Sequence, residues 1–405
     1  MDVFEQGVNR LKTEIENGRS VVLFGAGFLG VNTHFYAKAL NMNVVGFCDN
    51  DIEKIGEKLC GLRIHSLDEA IESFSNPVFI ICSSHAHKTM CIQLNKRGIT
   101  QLFSWLLPYY MYIIQKTKRL IDSKQFAQVT NMRIDKTEAL IFSSIAFRIT
   151  QICNLNCKNC FYFVPYDMRP IHYEKDLLLK SLISFMDSVE AVEMIGLTGG
   201  EPFLHPDLGD ILIGMAKCSK IIQINITTNG TIVPKPEVLE IIAENGIIIQ
   251  TSNYGAMSSK MSELERECAR RGILHLISPM SLNWFKPQTI ERFNHCNAKK
   301  KELFHSCSVR RYCDGLIEYG NFESCAYVSR RVSLGMIPRD SNCHVNLINE
   351  NSSVRERQEK ILALTKKDFL SYCDYCDTCR ELVPAGEQAE GKIKYKKYYD
   401  RRAYK

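Results

Sequence analysis

From residue 20 onward the chain alternates short apolar runs with amphipathic stretches. Val21-Val22-Leu23-Phe24 is unbroken by polar residues and runs into a glycine-rich turn. Val78-Phe79-Ile80-Ile81-Cys82 repeats the pattern between Pro77 and Ser83. Runs of this length without alternation predict strands buried on both faces. A helical stretch to about residue 40, then Val44-Val45-Gly46-Phe47-Cys48, completes a βαβ unit and so a parallel sheet. Residues 104–140 break this rhythm. The segment WLLPYYMYII at 105–114 is aromatic and is followed by a charged helical stretch. It predicts a packed helical connector, with a membrane-surface patch as the alternative. Strand–helix alternation resumes at Ala146 and lasts to about residue 280. The remainder is cysteine-rich and irregular as far as Cys379, then ends in the basic tail GKIKYKKYYDRRAYK.

Composition narrows the class. A chain of 405 residues is too long for one ordinary domain and predicts two or three units. A net charge of +6 is too small to argue for a nucleic-acid partner. No run of about 18 apolar residues occurs, so no membrane span is expected. The acidic, amphipathic start MDVFEQGVNRLKTEIENG lacks the apolar core of a signal peptide. The 17 cysteines are therefore expected to be thiols or metal ligands in a cytoplasmic protein. The tail reads as solvated, with contact to an anionic membrane surface as the alternative.

The first chemical motif is Gly25-Ala26-Gly27-Phe28-Leu29-Gly30, which closes a strand and opens a helix. Glycines there let a pyrophosphate approach the backbone, where free helix N–H groups meet its charge. Asp49 ends the second strand 19 residues after Gly30, where a carboxylate can accept hydrogen bonds from ribose hydroxyls; Asp51 is a second candidate. Gly25, Gly27, Gly30 and Asp49 are thus expected to hold a nucleotide, with a nucleotide-sugar or dinucleotide fitting a unit this short. The alternative is a degenerate Rossmann-like unit that only packs.

The second motif is 153-CNLNCKNC-160, in which Cys153, Cys157 and Cys160 form one arc after the strand-like AFRITQI. Structural zinc normally takes four protein ligands. Three thiolates on a four-iron cluster leave one iron free for a small chelating molecule. The spacing C-x3-C-x2-C resembles that of the radical S-adenosylmethionine (radical SAM) superfamily. Companion turns strengthen the resemblance: Thr198-Gly199-Gly200-Glu201-Pro202 is similar to the family's GGEP turn, and Thr227-Thr228-Asn229-Gly230 to its TNG loop. The resemblance implies a [4Fe–4S] cluster on Cys153, Cys157 and Cys160 whose open iron binds the methionine end of SAM. It also implies SAM contacts from Gly199, Gly200, Glu201, Pro202, Thr228, Asn229 and Ser252, and cleavage of SAM to a 5′-deoxyadenosyl radical. Two departures stand out. Asn159 occupies the place of an aromatic residue, so Phe161 or Tyr162 is expected to pack under the adenine. The strand ending at Ser252-Asn253 lacks the aspartate common in peptide-modifying members.

Past residue 295, Cys307 and Cys325 are separated as C-x12-G-x4-C about Gly320, which resembles the hairpin of SPASM and twitch extensions. Cys376 and Cys379 would complete a four-cysteine cage for an auxiliary [4Fe–4S] cluster. Cys313 and Cys373 are alternates; two clusters or a zinc knuckle are the other readings. Cys296 and Cys343 are candidates to requench a substrate radical, and equally plain loop residues.

Together these readings imply an α/β chain with a Rossmann-like unit at 1–108, a connector at 109–143, a partial (β/α)6 radical SAM barrel at 144–295, a cysteine-rich extension at 296–390 and a tail at 391–405. The front unit beside a radical SAM core resembles proteins of surface-polysaccharide pathways. It implies oxidation or epimerisation of a carbohydrate, expected to be a nucleotide-activated sugar, with a flavodoxin or ferredoxin as electron donor. A peptide-modifying enzyme and a non-catalytic iron–sulfur sensor are the alternatives. Tyr254 and Trp284 are offered as stacking residues, while Arg148 and His205 lie near the expected rim without an assigned proton.

Overall fold

The computed structural model describes residues 3–83, 86–134, 139–280, 282–286, 291–307, 309–310, 313–376 and 381–393. Cys379 and the tail beyond residue 393 lie outside them. The chain divides into two compact units, 1–141 with 244–246, and 142–243 with 247–405.

In the first unit, strands β1 (Val21–Phe24), β2 (Val44–Cys48), β3 (Lys58–Leu59), β4 (Leu62–His65), β5 (Val78–Ile81) and β6 (Leu102–Ser104) form one sheet in the order β3-β4-β2-β1-β5-β6. All neighbours are parallel except the β3–β4 hairpin. Every residue of β1 and β5 is buried, as their unbroken apolar runs require. Winding reverses between β1 and β5, which places the glycine turn and Cys82-Ser83 at the same sheet end. The helix Leu67–Ser73 starts with a capping box between Ser66 and Glu69.

Of the connector expected at 109–143, residues up to 141 group with this first unit and 142–143 with the second. Tyr109 packs on Tyr36 at 4.9 Å and Phe126 on Phe4 at 5.6 Å between ring centroids. The apolar area of segment 105–114 is spent on that core: Trp105, Leu106, Tyr109 and Ile113 are fully buried, leaving little for a membrane surface.

The second unit carries β7 (Ile141–Thr150), β8 (Ala191–Gly199), β9 (Ile221–Thr228), β10 (Ile248–Thr251) and β11 (His275–Ile277), then the short β12 (Asn283–Phe285), β13 (Gly315–Glu318), β14 (Asn321–Glu323), β15 (His344–Asn346) and β16 (Leu382–Pro384). The main sheet runs β11-β10-β9-β8-β7-β13-β14-β15, and β12 pairs separately with β16. Alternation sorts the faces. Ile145, Phe147 and Ile149 of β7, Ile195 and Leu197 of β8, and Ile222, Ile224 and Ile226 of β9 are fully buried on one face. The opposite face carries Arg148, Thr150, Gly196, Thr198, Gln223, Asn225 and Thr227, a polar and small-residue lining.

A sixth parallel strand is present but comes from the cysteine-rich extension. β13 pairs with β7, Ile317 opposite Phe147, instead of following β11. The extension and the core are therefore one sheet. The β13–β14 hairpin turns at Tyr319-Gly320, both at positive φ (44° and 78°), as a tight two-residue turn requires.

Candidate functional site

All the family-like turns lie at the carboxyl ends of β7 to β10, the rim where parallel α/β sheets place their chemistry. β7 ends in the cysteine loop and β8 in Gly199-Gly200-Glu201-Pro202. A methyl group on Gly200 would lie 2.0 Å from the Ile152 carbonyl oxygen and 2.8 Å from the Cys153 nitrogen. Gly199, at φ 149°, packs equally tightly, with a Cβ placed 2.2 Å from the Thr150 carbonyl oxygen. The backbone ladder continues across this contact: Gly200 N donates to Thr150 O at 3.0 Å and Glu201 N to Ile152 O at 2.8 Å.

Glu201 links two of these turns. It is fully buried. Its carboxylate accepts from Phe203 N (3.1 Å), Thr228 Oγ1 (2.9 Å) and Asn229 N (2.8 Å), tying the β8 turn to the β9 turn. Burial pushes its pKa to about 7 despite those donors. Pro202 is buried in the short turn that follows. Asn229 in turn donates to Asn154 Oδ1 at 3.0 Å and to Cys153 Sγ at 3.7 Å. Ser252 continues the rim through Ser252 N to Thr228 O at 2.9 Å.

Burial raises the pKa of all three thiols, Cys153 to about 12, and the other two are among the charges that push Cys153 further up. Cys160 is drawn the other way by two backbone N–H donors and by Arg148 and Arg330. Tyr254 lies close enough to feel all three thiols and packs edge-on against Trp284 at 5.4 Å, so these two aromatics belong to the rim. Of the two residues expected under the adenine, Tyr162 is locked by a hydrogen bond to Thr198 (2.8 Å) and lies under the Arg148 guanidinium at 4.2 Å. Phe161 is the more exposed and packs on Tyr327 at 4.6 Å. His205 Nε2 donates to the Tyr173 carbonyl and its Nδ1 accepts from Asp207 N, so it serves the loop.

Among the described residues no group of three or more His, Cys, Asp or Glu side chains is arranged to hold a single metal ion. A four-iron cluster makes a different demand, one thiolate per iron. The three neighbouring thiols on one loop suit that donor set, and Cys153, Cys157 and Cys160 would hold it.

Sequence reasoning missed the strap that crosses this loop. Gln388 Nε2 donates to Cys157 Sγ at 3.2 Å, and Gln388 Oε1 accepts from Asn156 N at 2.7 Å. Lys158 N to Glu387 O (2.7 Å) and Ala389 N to Asn156 O (2.9 Å) complete the strap. A lone glutamine in an irregular segment carries no spacing signal that could have revealed it.

Of the expected auxiliary cysteines, Cys307, Cys325 and Cys376 gather, together with the alternate Cys373. Desolvation raises the thiol of the partly buried Cys325, with Cys376 and Cys307 pushing it further up, and raises Cys373 to about 11, with the same two acting on it. Cys307, Cys325, Cys373 and Cys376 are thus neighbours. Cys379 lies outside the described residues. Cys313 is turned to its own backbone, Sγ to Gly315 O at 3.0 Å. Cys343 is buried beside Asp340 and Ser371, whereas Cys296 is exposed.

In the first unit the glycines divide. A Cβ on Gly25 or Gly30 would collide with backbone, at 2.8 Å and 2.0 Å, whereas Gly27 faces open space. Asp49 accepts from Ala26 N at 2.7 Å and Asp51 N at 2.9 Å, with Lys54 at 3.5 Å, which ties it to the glycine turn.

Residues 147–254 match the sequence model of the Radical SAM superfamily, so the chain carries a radical SAM domain. Relatives include the bovine (Bos taurus) molybdenum cofactor biosynthesis protein 1, 35% identical over 91 residues, 22% of this chain and 14% of that protein. The GTP 3′,8-cyclase of Campylobacter jejuni subsp. doylei is 34% identical over 101 residues, 24% of this chain and 31% of the relative. The chain thus spans less than a third of the length of these relatives. Among solved structures, native anSMEcpe with bound AdoMet has a TM-score of 0.39 at 13% identity, covering 57% of this chain and 87% of that one.

Proposed function

We propose that the chain is a radical SAM enzyme that oxidises or epimerises a carbohydrate, with a nucleotide-activated sugar as the favoured form. The observation that supports the chemistry is the cysteine loop itself: three thiols on one arc, wedged by Gly200 and bonded by Asn229 and Gln388. A [4Fe–4S] cluster with SAM on its open iron supplies the 5′-deoxyadenosyl radical when bound. The chain's residues position that chemistry. Glu201 locks two rim turns together, Tyr254 walls the loop, and the buried Arg148 sets a positive charge beside Cys160. Cys307, Cys325, Cys373 and Cys376 would hold an auxiliary cluster able to accept the substrate's electron. A small flavodoxin- or ferredoxin-type protein is the proposed donor, and the cytoplasm the proposed compartment. No described helix is long and apolar enough to cross a membrane.

A second reading takes a purine nucleoside triphosphate as substrate, since the core aligns with GTP 3′,8-cyclases. One assay separates them. Anaerobically reconstituted protein should release 5′-deoxyadenosine, and a nucleotide-sugar should accelerate release where GTP does not. Changing Cys153, Cys157 and Cys160 together to Ala should abolish it; persistence of cleavage would overturn the proposal.

A further inference from the structure

A cavity of about 230 Å³ opens at the carboxyl end of β13, between the β13–β14 hairpin, the loop through Asp167 and Tyr173, and the helix Ser329–Ser333. Most of the charge in it is paired, the exposed Arg169 being a lining guanidinium that among the described residues bonds only through its backbone N, to Asp167 at 3.1 Å. Glu318 receives two bonds from Arg148 at 2.7 and 2.8 Å, plus one from Tyr173 at 2.7 Å and one from Ser329. Arg330 pairs with Asp167, and Arg339 with Glu323 at 3.2 Å. Burial raises the Glu318 carboxyl, but Arg148 and Arg330 outweigh it and hold it below the usual range. Glu323 is pushed to about 7 by burial. Tyr173 and Tyr319 flank the opening with ring centroids 5.3 Å apart.

We infer that this cavity is a ligand site, separate from the SAM contacts at the turns after β8 and β9, for one uncharged polyhydroxylated ring such as a hexose or cyclitol. Size is the first argument. Pockets for drug-sized ligands run to roughly 300–1,000 Å³, so this one takes a single ring and not a whole nucleoside triphosphate. Charge is the second. A phosphate calls for several guanidinium groups without carboxylate partners, whereas Arg330 and Arg339 each carry one and the third lining guanidinium, Arg169, is exposed at the edge. Paired carboxylates and guanidiniums offer acceptors and donors side by side, which is what vicinal hydroxyls need, and tyrosine faces cover the apolar side of a sugar ring. Position is the third. Arg148, which bonds the cavity's Glu318, also lies over the Tyr162 ring at 4.2 Å, and Asp167 sits on the turn that continues from Cys160, so a ring held there lies beside the cysteine loop. The inference rests on the proposed radical SAM chemistry for its biological role, though not for its binding chemistry.

The test is saturation-transfer NMR on the full chain with glucose, galactose, N-acetylglucosamine and myo-inositol, and with inorganic phosphate and GTP as competitors. At least one polyol should receive transfer, and phosphate should not displace it. Ser333→Phe, which fills the cavity, should abolish transfer while SAM binding persists. Tyr319→Asn, which keeps a residue tolerant of positive φ at the half-exposed lip, should weaken binding roughly three- to tenfold. No transfer to any of the four, displacement by phosphate, or undiminished transfer in both variants would overturn the site. SAM cleavage measured on the same preparation keeps the two ideas apart. Binding without cleavage sinks the radical proposal alone, and cleavage without binding sinks the cavity alone.

Discussion

The tightest contact in the candidate site gives the sharpest test. Gly200→Ala adds one methyl group, and its carbon would lie 2.0 Å from the Ile152 carbonyl oxygen, 2.4 Å from its carbon and 2.8 Å from the Cys153 nitrogen. All three are backbone atoms, so no side chain can rotate away. Restoring an ordinary contact of about 3.4 Å requires the strand end that leads into Cys153 to move by roughly 1.4 Å. Overpacking of this kind costs about 1–3 kcal/mol, which a two-unit chain survives. Misplacement of reacting groups by about 1 Å costs on the order of 100-fold in rate. The expected outcome is therefore a folded protein with at least a 100-fold loss of 5′-deoxyadenosine release. Gly196→Ala is the matched control, because a Cβ there meets nothing within 4 Å on the same strand. Release is measured by chromatography after anaerobic reconstitution, with circular dichroism melts on both variants. If Gly200→Ala cleaves SAM at the wild-type rate, the turn does not set the cysteine loop and the reasoning fails.

Three further outcomes follow from particular residues. Burial lifts the Glu323 carboxyl from 4.5 to about 7, so the folded state holds this proton more tightly than the unfolded one. The associated stability, roughly 3 kcal/mol at 1.36 kcal/mol per unit, is full below about pH 4.5 and lost as pH rises through 7. Urea melts at pH 5 and pH 8 should show a loss that Glu323→Gln reduces; equal slopes would count against it. Cys373→Ser should remove about half of the roughly eight irons of a two-cluster protein, while Cys313→Ser should leave iron content unchanged, as read by colorimetric iron assay. In the first unit, Gly27→Val should fold normally yet erase any thermal shift produced by nucleotide-sugars or dinucleotides. Gly30→Ala should lower the melting temperature without any ligand, because its Cβ would lie 2.0 Å from the Gly25 carbonyl oxygen.

Local order was legible along the chain wherever a pattern repeats over a few residues. Unbroken apolar runs marked β1 and β5, and the spacing of Cys153, Cys157 and Cys160 marked the candidate centre, because both are consequences of adjacent residues sharing one environment. The hairpin at Gly320 was legible for the same reason: a tight turn restricts its own residues. Partners distant in sequence were not. That Arg148 meets Glu318 across 170 positions, that Gln388 reaches Cys157, that Glu201 is bonded to the β9 turn, and that Cys373 joins Cys307 and Cys325 all depend on which strand edges pair. The sequence by itself determined the elements, the strand-end turns and the thiol donors. Tertiary structure alone decided that β13 closes on β7, and with it the paired charges around the cavity, because a buried ion pair exists only where folding brings both charges out of water together.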